Sequence, residues 1–590
     1  MVLRIGVSTG LYMVARAEEL ATAVKKIGYA LTRGVGMIEL AGDVPHEVSL
    51  TQGREIRYIA KKQGLTLGFH GSLTVPVGLP ERSDWRDADV HLRNSVRSAV
   101  FCGSKYVNFH SCINYWLELL TFAGRKLTSA FVDHEGRFIS EILKECKPLR
   151  EWFVKEKWDN YFKQVFTEEE LSNISNESSY YRRGVEDQIR SLEAQLRAAR
   201  EAFRAGQITE EQVRKAENAL EQLEMRAPQI TTEHQESAIR ALLSEKLERG
   251  GSWRVEELRP EFGTIDGYTI MGHYMFFQND PIWKAMLEQY PNVSKNYKLV
   301  NGDPTLLEKA WREAERNNDR DFKEFFYGAI CAKYLEGHLK RLFEWMKKEL
   351  PKELKGKDEA ETKELEKNAK EINITIESPD ARDPSHAGLF LLWHPKAVYA
   401  AVKTIRKTLK TDKVWMLIDF EHIATQGVDA HGTLKDVTDR CNDFGKLTFA
   451  CHSNRPNPLH AHYPVEIGDV ELYELQYMLK MSGMGDDREA YIIFERGGGE
   501  DPFKQAVDAL KLMVDCLEKN IPPEKLPMEF FGLKGHTAGS FTRQLQIIQE
   551  HKHDVIKDLL EMPEEDWTAL SQTIIKRGKR PEVWKKAQYR

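Results

Sequence analysis

With 590 residues and a formal net charge of −6, the chain can bury more than one core and carries no global basic field for nucleic acid or acidic lipid. No apolar run approaches the roughly 20 residues of a membrane span, and the opening "MVLRIGVSTG" reads as a strand rather than a signal peptide, so no membrane association is expected. Seven cysteines, an odd number without a Cys-x-x-Cys pair, fit a reducing, cytoplasmic location better than a disulfide framework.

Residues 1–112 alternate short β-rich runs with helical patterns, which argues for βα units and a parallel sheet. The runs are "LRIGVST", "GMIELAG", "LTLGFHGS" and "KYVNFHSC". Residues 113–325 break this rhythm with helical, charged and aromatic sequence, an inserted domain. Within it Ile189, Leu192, Leu196, Ala199 and Phe203 keep a 3-4 spacing, "AGQIT" turns, and Val213, Ala216, Leu220 and Leu223 resume it. Thr209 and Gln212 form a capping-box pattern, so residues 182–226 are expected to make an antiparallel coiled-coil hairpin. It serves either as a rigid arm or as a docking arm for a protein partner.

The stretch "FYGAICAKYLEGHLKRLFEWMKKEL" supplies the helix between the fourth and fifth strands. Residues 326–520 then continue the βα pattern with "INITIESP", "VWMLIDFEH", "KLTFACHSN" and "AYIIFERGG". Eight runs close a (β/α)₈ TIM barrel, and the insertion falls in the loop after strand four, on the face where barrel active sites lie. Residues 521–590 add a Lys/Glu-rich helical extension.

The strand ends carry the chemistry. They offer His70, His110, Glu377, Asp419 with His422, His452 and Glu495, and "PLHAHYP" adds His460 and His462. Any one of these residues alone is an ordinary loop contact. Their equivalent positions in separate βα units instead predict convergence on one barrel mouth. Nine candidate ligands exceed what a single ion needs, so two or three ions are expected. Imidazole with carboxylate suits Zn²⁺ best, then Mn²⁺ or Fe²⁺. Basic candidates near the mouth are Arg455, Arg496 and Lys446. Gly497 to Gly499, ahead of Pro502, form a glycine-rich turn that could face a phosphate or simply be a loop.

The motifs "GFHGS", "VNFHSC", "ITIES", "LIDFEHIATQGVD", "ACHSN", "HAH" and "IIFERG" resemble, in order, the metal-ligand motifs of endonuclease IV. That is the zinc-dependent apurinic/apyrimidinic endonuclease family of the xylose-isomerase-like barrels. The resemblance spans both barrel blocks but neither the insertion nor the C-terminal extension. It implies a DNA substrate and hydrolysis of a phosphodiester by metal-activated water, with Glu377, Asp419 and Glu495 as catalytic residues. It also implies three ions. His70 and His110 would hold the first, with Glu377 bridging to a second completed by Asp419, His452 and Glu495. His422, His460 and His462 would hold the third.

Three departures stand out. His460 replaces the family's Asp, Leu73 replaces an aromatic that opens the duplex, and "AGDVPHEV" lacks the family's DNA-penetrating residues. The alternative is a sugar isomerase or epimerase of the same superfamily, using one divalent ion on Glu377, Asp419, His452 and Glu495. A third class, a scaffold whose hairpin is an interaction arm, leaves the aligned ligands unexplained.

Overall fold

The computed structural model describes residues 3–9, 24, 27–28, 31, 34–41, 47–72, 75, 77–78, 82–111, 132–249, 264–299, 304–381, 392–459, 462–495 and 502–533. Eight parallel strands close a barrel in chain order. They are β1 (Leu3–Ser8), β2 (Met37–Ala41), β3 (Thr66–His70), β4 (Tyr106–His110), β5 (Asn373–Glu377), β6 (Val414–Asp419), β7 (Thr448–His452) and β8 (Ala490–Glu495). Closure runs from Leu3 opposite Ala490 to Ser8 opposite Glu495. The eight runs singled out in the sequence are the eight strands, and the architecture is the expected barrel with helical additions.

Strands covered on both faces have little use for polar residues, so they read as nearly continuous apolar runs. β7 is buried at every position. Met37, Tyr106, Leu417, Ala450 and Ile493 belong to one apolar cluster. Two residues further along the same strands stand Glu39, Asn108, Asp419, His452 and Glu495. Because strand side chains alternate, each pair shares a face: apolar filling gives way to polar groups toward the strand ends.

The helix Leu50–Gln63 starts at a Ser49–Gln52 capping box and stops at Gly64, whose φ of 65° only glycine adopts cheaply. Its Gly53 packs so tightly on the Phe101 carbonyl of the helix Arg82–Cys102 that a Cβ would collide with it. Arg57 donates to that same carbonyl and also lies 2.5 Å from Glu361. Glu361 belongs to the helix Glu359–Glu371, which leads into β5. This buried ion pair ties the first barrel half to the second across the long insertion.

Residues 128–278 form a separate compact unit, whereas the helices from Pro281 to Asn317 belong with the barrel. The unit's core includes Ile142, Leu149, Trp152, Phe153, Ile174, Ile239, Leu243 and Leu247. From it extend two long helices, Glu168–Arg204 and Glu210–Arg249, packed along each other. Residues 205–209 make the turn, with Gly206 at φ 70° and the Thr209 N–H donating to Gln212 at 2.9 Å. Leu196 and Val213 are buried in the seam, while Phe203 near the tip is 44% exposed. The helices therefore run well beyond the 182–226 seam. Among the described residues no helix is long and apolar enough to cross a membrane, and six cysteines are free thiols.

Two outcomes are expected. Gly53→Ala should lower unfolding free energy by about 1–3 kcal/mol, as overpacking does, read from a shifted urea midpoint at constant m. Replacing 182–226 with a short Gly/Ser turn leaves the core around Ile174 and Leu243 in place. Elemental analysis should then find the same ion content as in the full chain, and a loss of ions would overturn the independence of the arm.

Candidate metal centre

At the C-terminal end of β5, Glu377 is completely buried and receives a hydrogen bond from the Asn108 amide. Its Oε2 lies 3.5 Å from His70 Nε2 and 3.4 Å from His110 Nε2. Its Oε1 lies 3.1 Å from His452 Nδ1 and 3.4 Å from His422 Nδ1. One carboxylate thus presents a different pair of imidazoles to each of its oxygens. His452 Nδ1 also lies 3.5 Å from both Asp419 Oδ2 and Glu495 Oε2.

Three sets of donor atoms lie close enough together to hold an ion: His70, His110 and Glu377; Glu377, Asp419 and His452; Asp419, His422 and Glu495. Glu377 and Asp419 each belong to two sets. Asp419 Oδ1 caps the short helix Phe420–Thr425, while its buried Oδ2 has no hydrogen-bond partner. An anionic oxygen buried with an open lone pair is costly unless a cation meets it. The donors present therefore fit a divalent metal.

Charge balance points the same way. Glu39, Glu377, Asp419 and Glu421 are fully buried, beside the part-buried Glu495. Buried carboxylates need positive compensation. The surrounding imidazoles can supply it. Burial alone would lower the His70 pKa, but its hydrogen bond to Glu377 and the charge of Glu39 raise it to about 10. His422 rises to about 9 despite burial, through Asp419 and Glu377. Burial would raise Glu377, yet His452 and His422 hold it well below the usual carboxylate range.

Seven of the nine residues selected from sequence fall in these sets: His70, His110, Glu377, Asp419, His422, His452 and Glu495. His460 lies outside the described residues, as do Leu73, Arg496 and Gly497 to Gly499. His462 is in none of the three sets. Its ring Nδ1 lies 2.7 Å from Glu421 Oε2, and its backbone N–H donates to Glu421 Oε1 at 3.0 Å. Those contacts hold it at φ 47°, strained for a side-chain-bearing residue. Among the basic candidates, Arg455 is engaged by Asp469 at 3.0 Å. Lys446 precedes β7 and so sits at the N-terminal end of the barrel, away from the mouth.

Sequence reasoning missed Glu39, Asn108 and Glu421. Glu39 and Asn108 lie two residues before their strands' ends, so a search of terminal residues passes over them. A glutamate inside the apolar "MIELA" was the available signal for Glu39.

No family model and no curated protein sequence matches the chain. Solved structures with distant similarity include D-psicose 3-epimerase with D-tagatose from Clostridium cellulolyticum H10, at 8% identity and TM-score 0.36, covering 87% of this chain and 99% of that one. An L-ribulose 3-epimerase matches at 8% identity and TM-score 0.35, over 88% and 96% of the two chains. The 3-keto-D-glucoside 4-epimerase YcjR from E. coli, in its apo form, matches at 10% identity and TM-score 0.34, over 87% and 100%.

A ligating imidazole is neutral, whereas His70 and His422 keep protons up to about 10 and about 9 without an ion. Loading at pH 7 should therefore release protons, and apparent affinity should rise with pH toward those values. Calorimetric titration with Zn²⁺ in two buffers of different ionisation enthalpy measures the release; heats independent of buffer would show imidazoles already neutral. The same raised values stabilise the ion-free fold fully below about pH 6.5, and that stability is lost as pH climbs through 9 to 10.

Proposed function

We propose that the chain is a divalent-metal-dependent enzyme that hydrolyses a phosphodiester, with nucleic acid as the substrate class, in the manner of endonuclease IV. The supporting observation is Glu377, whose two oxygens face separate pairs of imidazoles. A single-ion enzyme has no need of His70 and His110 on the far side of that carboxylate. Their presence supports at least two ions sharing Glu377, with zinc the best match to the donors.

Divalent cations would supply charge neutralisation of the phosphate oxygens and Lewis-acid activation of water. The residues of the chain hold the reaction's geometry. Glu377 and Asp419, each shared by two donor sets, would hold the cations, and burial keeps bulk water from them. Glu495, the part-buried carboxylate at the end of β8, stands nearest the solvent and is the group to take a proton from attacking water.

A second reading, a sugar isomerase or epimerase, is favoured by a different observation. Glu377, Asp419 and His452 form one compact donor set, and His452 Nδ1 lies 3.1–3.5 Å from the carboxylates of Glu377, Asp419 and Glu495. The pairing of Arg455 with Asp469 also draws one basic candidate away from a phosphate.

Ion content and turnover decide between them. Two or more ions per chain with cleavage of abasic or undamaged DNA is the expected result. One ion with interconversion of keto-sugars would replace hydrolysis by the second reading. Glu377→Ala should empty both sets together and cut activity by more than the 10–100-fold typical of outer-shell partners. Wild-type ion content and turnover in that variant would defeat the bridging role.

A further inference from the structure

We propose that Glu39 is a positioning residue for this centre: braced by Tyr106, it fixes the His452 ring so that Nδ1 faces the ligand carboxylates. The inference rests on the reading that the cluster binds a divalent cation.

Glu39 lies deeper in the barrel than the ligands. On β2 it is Ala41, two residues later, that pairs with His70. Glu39 is completely buried and belongs to none of the three donor sets. Both of its oxygens are already engaged. Oε2 accepts from the Tyr106 hydroxyl at 2.6 Å, and Oε1 lies 3.0 Å from His452 Nε2. That leaves it a brace rather than a ligand.

The chemistry of imidazole explains why a brace is needed. A neutral histidine bound to metal uses one nitrogen as a lone pair and carries hydrogen on the other. His452 has Glu39 on its Nε2 side and Glu377, Asp419 and Glu495 on its Nδ1 side. A carboxylate accepting from Nε2–H selects the tautomer whose lone pair is on Nδ1. Without that acceptor, the ring could carry hydrogen on either nitrogen and turn about its own bonds.

Tyr106 makes the brace rigid. Its ring packs against Phe449 and Tyr491, with centroids 5.4 and 6.0 Å away. On β3, Gly68 leaves the space this ring uses: a Cβ there would lie 2.6 Å from Tyr106 Cζ and 2.7 Å from Met37 Cε. Four strands thus contribute to one contact chain. Gly68 on β3 admits the Tyr106 ring of β4, whose hydroxyl holds Glu39 of β2, which orients His452 of β7.

The test uses the full chain stripped of metal and titrated with Co²⁺ and Zn²⁺ against a chelating indicator. Glu39→Ala should weaken binding by about 10–100-fold and alter the Co²⁺ absorption bands, because one ligand ring is no longer oriented. Glu39→Gln keeps an acceptor for Nε2–H and should restore most of the affinity and the wild-type spectrum. Tyr106→Phe should fall between glutamine and alanine. Near-UV circular dichroism checks folding, and if the alanine variant fails to fold, the Gln and Phe variants carry the same ordering. Folded variants with wild-type affinity and spectrum would overturn the role of Glu39 while leaving the metal reading intact. A wild-type chain that binds neither cation would overturn both.

Discussion

The attraction between one buried carboxylate and the imidazoles around it is the interaction on which the rest of this structure depends. Glu377 has no exposed surface, and it meets His70 and His110 through one oxygen and His452 and His422 through the other. A charge so placed is tolerable only if every neighbour is held to it. The barrel does so by ending β3, β4, β5 and β7 on these residues and capping a helix with Asp419, three residues before His422. Small displacements of any strand would leave acids facing acids in a low-dielectric interior.

The scaffold accommodates that demand by layering. Lower in the barrel, Tyr106, Phe449 and Tyr491 pack with Met37, Leu417 and Ile493. Above them the same strand faces turn polar. Glu39 lies between the two regimes, which is why its partners are a phenol from the apolar layer and an imidazole from the polar layer. Outside the barrel, Arg57 and Glu361 join segments separated by the whole insertion. A compact unit of 128–278 could enter a loop after β4 because the strands on either side still pair directly, from Tyr106 opposite Asn373 to His110 opposite Glu377.

Electrostatics frames the choice of reaction. With neutral imidazoles, five carboxylates beside one divalent ion leave a strongly negative pocket, which suits an uncharged sugar better than a phosphodiester. Two or three ions bring the same pocket near neutrality and allow an anionic substrate to approach. The number of ions bound is therefore a statement about substrate class.

Much of this was written in local patterns. Eight apolar runs separated by helical stretches specify a parallel barrel because each strand is buried on both faces and each crossover needs a helix. The convergence of histidines and carboxylates at the strand ends was legible for the same reason: equivalent places in repeated βα units meet when the barrel closes. The hairpin was legible from its 3-4 spacing and from Thr209 with Gln212. Tertiary structure decided what no local pattern encodes. It placed His462 against Glu421, sent Lys446 to the far end of the barrel, and brought Glu39 of the second strand to His452 of the seventh. Hydrophobic periodicity is a property of neighbours along the chain. A carboxylate finds its imidazole across hundreds of residues only once closure has set which strand faces which.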